Sequence, residues 1–266
     1  MNSTAYTVLF TRANLSAGRM RRLISASTDA TLDLLFPPHC VSCGTPLPPV
    51  VNKALCLPCA EKIRWIANNR CRRCGDAVGL GSDVVADCPS CRAHPPVFVK
   101  AICSVALYAE GPLRDLILSL KFGRKLHLAR PMGELLAARI QTTRLANENT
   151  ILAPIPLTRQ STLQRGFNHT EELAQCVGRQ LHLKVESRLL RKIRGTAPQA
   201  MLTREQRRNN LKGAFACNLK IAARCKDAQV LLIDDVITTC STVSECARTL
   251  TDAGIGEVRA ASVARG

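Results

Sequence analysis

Eight cysteines arranged as four Cys-x-x-Cys pairs constrain this chain more than any other feature. The pairs are Cys40/Cys43, Cys56/Cys59, Cys71/Cys74 and Cys88/Cys91, with twelve residues between the first two pairs and thirteen between the last two. Two thiolates two residues apart grip one metal ion from a tight turn, and two such turns complete a tetrahedron around Zn²⁺. Gly44 and Gly75 follow the second cysteine of the first and third pairs, where a zinc knuckle turns sharply. A redox-active dithiol would present one such pair in a thioredoxin-like setting rather than four evenly spaced ones. Cys40, Cys43, Cys56, Cys59, Cys71, Cys74, Cys88 and Cys91 are therefore assigned as ligands of two four-cysteine Zn²⁺ sites. Such sites leave no coordination position open, so their role is structural, and the metal supplies folding energy that so short a segment cannot draw from a core. Spacing alone leaves sequential and interleaved pairing both open; the ribbon-like spacing of each half favours sequential sites. His39 and His94 flank the module and read as surface or supporting residues rather than ligands. Trp65, the single tryptophan, reads as a packing residue on a short helix after Cys59.

A second stretch carries the chemistry. Val230 to Ile233 form an apolar run that meets Asp234 and Asp235, and the hydroxyl-rich loop Thr238-Thr239-Cys240-Ser241-Thr242 follows. The spacing of Val243, Ala247 and Leu250 before Ala253-Gly254 predicts a helix over 243–253. Strand, acidic corner, small loop and helix together make an anion site. The crevice at the carboxyl ends of parallel strands takes ligands, and a helix start offers free backbone N–H groups to a phosphate. Adjacent acids on a strand point to opposite faces yet both border the crevice at its end. Their natural partners are sugar hydroxyls and a hydrated divalent cation. A strand capped by an ordinary Ser/Thr helix start explains less of this pattern.

Around these two features the chain divides into an extension over 1–30, the cysteine module over 31–97, and an α/β unit over 98–266. In the last, strands are expected over 99–108, 151–157, 228–233 and 258–263. Helices are expected over 112–120, 126–145, 164–181 and 243–253, with a basic irregular stretch over 182–227. Strands alternating with helices predict a mostly parallel sheet flanked by helices. No run approaches the roughly 18 apolar residues of a membrane span, and the first residues lack the apolar segment of a signal peptide. A cytoplasmic protein with no membrane span is expected.

The net charge of +17 predicts attraction to polyanions, while the 3% aromatic content weighs against a stacking platform for single-stranded nucleic acid. Residues 188–226 hold eleven Lys/Arg and one acid, Glu205, with a helix expected over 203–210. The six cysteines outside the pairs read as small buried residues. Cys240 is the exception by position, because a helix start lowers a thiol pKa and makes it the expected reactive one.

The 230–242 stretch resembles the phosphoribosyl-diphosphate (PRPP) motif of the type I phosphoribosyltransferases. Further segments are similar to the competence-protein-F (ComF/GntX) family: Leu34-Leu35-Phe36-Pro37-Pro38 before the cysteine pairs, Leu120-Lys121-Phe122, Pro154-Ile155-Pro156-Leu157 and Arg165-Gly166-Phe167-Asn168. They continue with Thr196-Ala197-Pro198-Gln199, Arg208-Asn209 before Gly213-Ala214-Phe215, and the paired acids. The resemblance runs from about residue 32 to the last residue. It implies a double zinc ribbon joined to a type I phosphoribosyltransferase-like sheet. It also implies a PRPP or nucleotide-like phosphate ligand carried with Mg²⁺. Asp234 and Asp235 would sit on the ribose as catalytic-type acids, Thr238, Thr239, Cys240, Ser241 and Thr242 on the 5′-phosphate, and Arg159 and Arg165 on the diphosphate. Residues 188–226 would form the hood over the site. Cys240 stands where the family has glycine and His169 where it has glutamine. Thr158, Gln160, Ser161 and Leu163 fill a segment that is richer in His and Arg elsewhere in the family. Two functions follow from the resemblance: a binding protein of DNA uptake, with single-stranded DNA and DNA-processing proteins as partners, or an active phosphoribosyltransferase of nucleotide metabolism.

Overall fold

A computed structural model describes residues 38–48, 54–67, 70–78, 88–93, 95–195 and 210–266. The predicted extension over 1–30, the lead-in through Pro37, His94, the segment 196–199 and most of the helix over 203–210 lie outside the described residues.

Five parallel strands form the central sheet in the order β1 (Ile102–Leu107), β7 (Glu257–Arg265), β6 (Gln229–Ile237), β2 (Thr150–Pro154) and β3 (Lys184–Val185). β6 lies between β7 and β2, which explains its composition: Val230, Leu231, Leu232 and Ile233 are buried on both faces of the sheet. The strand runs four residues past the expected 228–233, because β7 stays paired with it as far as Ile237↔Arg265. That pairing draws both acids into the strand.

The helices include α1 (Leu57–Glu61) and α2 (Pro89–Ala93) in the cysteine region, then α3 (Pro112–Phe122), α4 (Ala129–Thr142), α5 (Arg159–Arg165), α6 (His169–Leu181), α7 (Leu219–Arg224) and α8 (Ser241–Asp252). The single helix expected over 126–145 begins as a 3₁₀ turn at Leu126–Leu128 and ends at Thr142. From β2 the chain passes through α5 and α6 outward to β3. From β6 it passes through α8 to β7 on the other side. Crossovers of one hand then place α6 and α8 on opposite faces. Leu173, Ala174 and Val177 of α6 share a core with Leu231 and Ile233, whereas Val243, Ala247 and Leu250 of α8 share one with Val230 and Leu232. The strand order therefore reverses between β2 and β6, and their carboxyl ends open onto a common crevice. The basic stretch after α6 is more regular than expected: β4 (Leu190–Lys192) pairs antiparallel with β5 (Phe215–Cys217) over the α8 face.

The cysteine region is built onto the outer edge of β1. Ile66 donates its N–H to Val105 O at 3.0 Å and Leu107 donates to Arg64 O at 2.8 Å, so residues 64–66 cover a strand edge that would otherwise be bare. Trp65 sits in this extended segment, beyond α1, half-buried against the core. Gly75 has φ +74°, and a Cβ there would stand 2.8 Å from Ile102 O, so only glycine allows this approach. Arg139 of α4, 1% exposed, ties the two parts together. Its Nε donates to Ser104 O and its Nη2 to Ala67 O, both at 3.0 Å.

Removing that guanidinium leaves two carbonyls without their donor, at about 1–3 kcal/mol for each one that stays buried. Arg139→Met is expected to lower the urea midpoint of the zinc-loaded protein by a matching amount. A midpoint equal to wild type would show that Arg139 does not fasten the cysteine region.

Candidate ligand site at the carboxyl edge of the sheet

Side chains alternate along β6, so Asp235 follows Leu231 and Ile233 toward α6, while Asp234 follows Val230 and Leu232 toward α8. Asp235 is 3% exposed and both of its oxygens are engaged. Lys121, in the last turn of α3, forms an ion pair with Oδ2. His169, first residue of α6, places Nε2 3.3 Å from Oδ1. Its other nitrogen, Nδ1, lies 3.3 Å from Arg165 Nη1. A guanidinium only donates, so Nδ1 accepts, and His169 donates to Asp235 through Nε2. Arg165 also lies over the Phe122 ring, 4.9 Å from its centroid. The start of α6 is itself held firmly. Asn168 caps it by accepting from Thr170 N, and Thr170 Oγ donates to Ile155 O at 2.6 Å.

Electrostatics separate the two acids. Burial alone would raise the Asp235 carboxyl, but Lys121 and His169 overrule it and hold the group well below the usual carboxylate range. Asp234 moves the other way: burial first, then the charge of Asp235, push its carboxyl well above the usual range. Its Oδ1 accepts the Asp235 N–H at 2.9 Å. Burial pushes the Lys192 ammonium of β4 down, with Asp234 among the charges opposing that shift.

The loop after β6 turns at Cys240, whose φ of 59° and ψ of 3° are left-handed. This is the conformation expected where the resemblance implies glycine, adopted here by a residue with a Cβ. The Cys240 side chain is 5% exposed and packs with Val243 and Cys246. Burial pushes its thiol up, so the expected lowering at the helix start does not occur. Thr239 Oγ1 and Ser241 Oγ are 2.9 Å apart. Beneath the loop, Arg265 Nη1 donates to Ile237 O at 3.0 Å and Gly266 O at 2.8 Å, and contacts Thr238 O. Sequence reasoning missed this clamp; an arginine following the small and apolar run Ala260 to Ala264, broken only by Ser262, was its signal. It likewise saw Lys121 only as part of a motif. Of the two arginines singled out for the diphosphate, Arg165 joins the Asp235 network through His169, while Arg159 is exposed on the first turn of α5.

The other sequence-defined sites are the cysteines. Cys40, Cys43, Cys56 and Cys59 form one cluster and Cys71, Cys74, Cys88 and Cys91 another, with all four Sγ atoms of each within 4.8 Å of one another. The close pairs, 3.5 Å for Cys43–Cys56, 3.4 Å for Cys74–Cys88 and 3.6 Å for Cys71–Cys91, approach the ~3.8 Å edge of a tetrahedron with Zn–S bonds near 2.3 Å. The pairing is sequential, and the donor set and spacing suit structural zinc. His39 is exposed and outside both clusters.

Residues 31–92 match the family described as the double zinc ribbon domain. The chain is also 32% identical over 230 residues to DNA utilization protein YhgH of Escherichia coli K12, an alignment covering 85% of this chain and 96% of the relative. It belongs to the competence-protein-F (ComF/GntX) family. Within that family, the YhgH protein of Salmonella typhi is 30% identical over 229 residues, and competence protein F of Haemophilus influenzae is 27% identical over 230. Each alignment again covers 85% of this chain and 96% of the relative. Among the described residues no helix is long and apolar enough to cross a membrane.

The opposite shifts of the two acids give opposite expectations. A depressed carboxyl contributes stability that is present above the unfolded pKa of about 3.9 and is lost as pH falls toward its folded value. Asp235→Asn should therefore cost about 3–5 kcal/mol at neutral pH, as for a broken buried pair, and less below about pH 4. A raised carboxyl opposes folding at neutral pH, so Asp234→Asn should be neutral or stabilising there. Denaturant midpoints across pH test both; equal losses would refute the asymmetry. Metal analysis should find one zinc per cluster, with Cys74→Ser losing the second ion and retaining the first. Loss of both ions together would show that the clusters do not bind independently.

Proposed function

We propose that the protein binds a phosphorylated ribose, PRPP or a nucleotide-like relative, in the crevice between β2 and β6, and acts in DNA uptake or utilization. The observation that carries the reading is the left-handed turn at Cys240, which joins an acid-bearing central strand to the start of α8 at the point where the strand order reverses. Thr238, Thr239, Ser241 and Thr242, with the backbone N–H groups of the loop and the first turn of α8, supply donors for a 5′-phosphate. Arg265 fixes where that loop begins. Asp234 is the acid left for ribose hydroxyls, because Lys121 and His169 already occupy Asp235. Arg159 and Arg165 are the cations on the diphosphate side; Arg165 would reach it by leaving His169 and Phe122.

The acids do not fit a two-carboxylate Mg²⁺ site. With both oxygens of Asp235 taken, Mg²⁺ would enter with the diphosphate and find Asp234 alone. Any acceleration of chemistry at the ribose would come from positioning and fixed charge. The DNA side of the reading rests on the relatives, named for DNA utilization and competence, and on the +17 charge of this chain.

Calorimetric titration of PRPP into zinc-loaded protein, with and without Mg²⁺, tests the crevice. Saturable binding is expected, weakened about 10- to 100-fold by Asp234→Asn, the effect of losing hydrogen bonds to a charged group. Folded wild-type protein that takes up neither PRPP nor ribose 5-phosphate would overturn the phosphate reading. Release of pyrophosphate in a screen of acceptors would identify an active transferase.

A further inference from the structure

We propose that the surface formed by residues 122–125 and α5, bordering the crevice, is a binding site for single-stranded nucleic acid. The inference rests on the DNA side of the proposed function and gives it a place. Residues 116–133 contain Lys121, Arg124, Lys125 and Arg130 and no acid, although Lys121 is paired with Asp235 and Arg130 with Glu134, and residues 155–170 contain Arg159 and Arg165 and no acid. Residues 122–127 are all exposed, and no residue of α5 is buried. Among the described residues Arg124, Lys125 and Arg159 make no ion pair, so their charges face solvent.

In the middle of this basic surface stands Phe122, 64% exposed, with the Arg165 guanidinium over its ring. Leu163 of α5 is 74% exposed. The exposed Phe122 ring, with the half-buried Arg165 guanidinium over one face, thus stands in water beside the unpaired charges of Arg124, Lys125 and Arg159. The ligand that supplies both a π-face and a regular row of negative charges is an unpaired polynucleotide strand. A duplex stacks its base faces internally, so it would meet the cations and leave the ring unused. Although aromatics make up only 3% of the chain, this one sits where stacking needs it.

The surface is also joined to the crevice. Lys121, beside Phe122, and His169, beside Arg165 in the network, are the two partners of Asp235. A strand stacked at Phe122 thus lies next to the groups that hold the acidic corner.

Fluorescence anisotropy of a labelled oligothymidylate with the full-length zinc-loaded protein tests the placement. Phe122→Ala should weaken binding roughly 10- to 100-fold. It should leave the weaker binding of a duplex of equal length unchanged. Arg124→Ala/Lys125→Ala should flatten the dependence of log K on log salt by about 1.4, near 0.7 per phosphate contact on a single strand. A Lys62→Ala/Arg64→Ala variant, with the same charge change on the exposed face of the cysteine region, should leave both readouts within about twofold, as expected for residues outside the contact surface. Wild-type protein that binds no oligothymidylate at low salt would sink the DNA reading and this proposal together. Wild-type binding that survives all patch substitutions, or falls equally in the Lys62/Arg64 variant, would sink the placement alone. Equal loss of duplex and single-strand binding in Phe122→Ala would remove the stacking role.

Discussion

Parallel pairing of β6 with β2 on one side and β7 on the other is the constraint from which the rest follows. A strand hydrogen-bonded on both edges and covered on both faces must be apolar, as Val230 to Ile233 are. The crossovers that leave β2 and β6 in opposite directions lie on opposite faces of the sheet. That arrangement opens the crevice between β2 and β6. Pairing with β7 carries the strand on past the apolar run, and so brings Asp234 and Asp235 to the crevice on opposite faces of one rigid ladder.

Rigidity at this edge comes from charge as well as backbone. Asp235 gathers α3, α5 and α6 onto β6 through Lys121, His169 and, one residue further out, Arg165. A carboxylate this deeply buried is tolerable only because both oxygens are met by donors. The same arrangement separates the two neighbouring acids: Asp235 is held as a paired carboxylate, while burial and the charge of Asp235 push the Asp234 carboxyl the other way.

Metal and core share the work in the cysteine region. Cys40, Leu47, Leu55, Cys59 and Ile63 join the same apolar cluster as Val105 of β1 and Leu113 of α3. Residues 64–66 add to the edge of β1, and Arg139 reaches across from α4. Cys71, Cys74, Cys88 and Cys91 form a separate cluster, with Val78 packed against it among the described residues. Gly75 lets it approach Ile102.

Much of this was legible in the sequence, because it depends on short-range spacing. Two residues between thiols define a knuckle, a run of branched residues defines a buried strand, and the order of strands and helices defines a parallel α/β sheet. The cysteine ligands, the acidic pair and the hydroxyl loop were all local features, whereas the left-handed turn at Cys240 is a finding of the structure. Contacts between residues distant in the chain were decided only by tertiary structure. Lys121 and His169 meet Asp235 from more than sixty residues away. Arg265 reaches back to the loop that follows β6, and Phe122 meets Arg165. The thiol of Cys240 shows the limit most clearly. Its position at a helix start argued for a lowered pKa, whereas its burial, set by the packing of α8 on the sheet, raises it. Spacing determines which groups are available, while burial and long-range pairing determine their charge and which of them face a ligand.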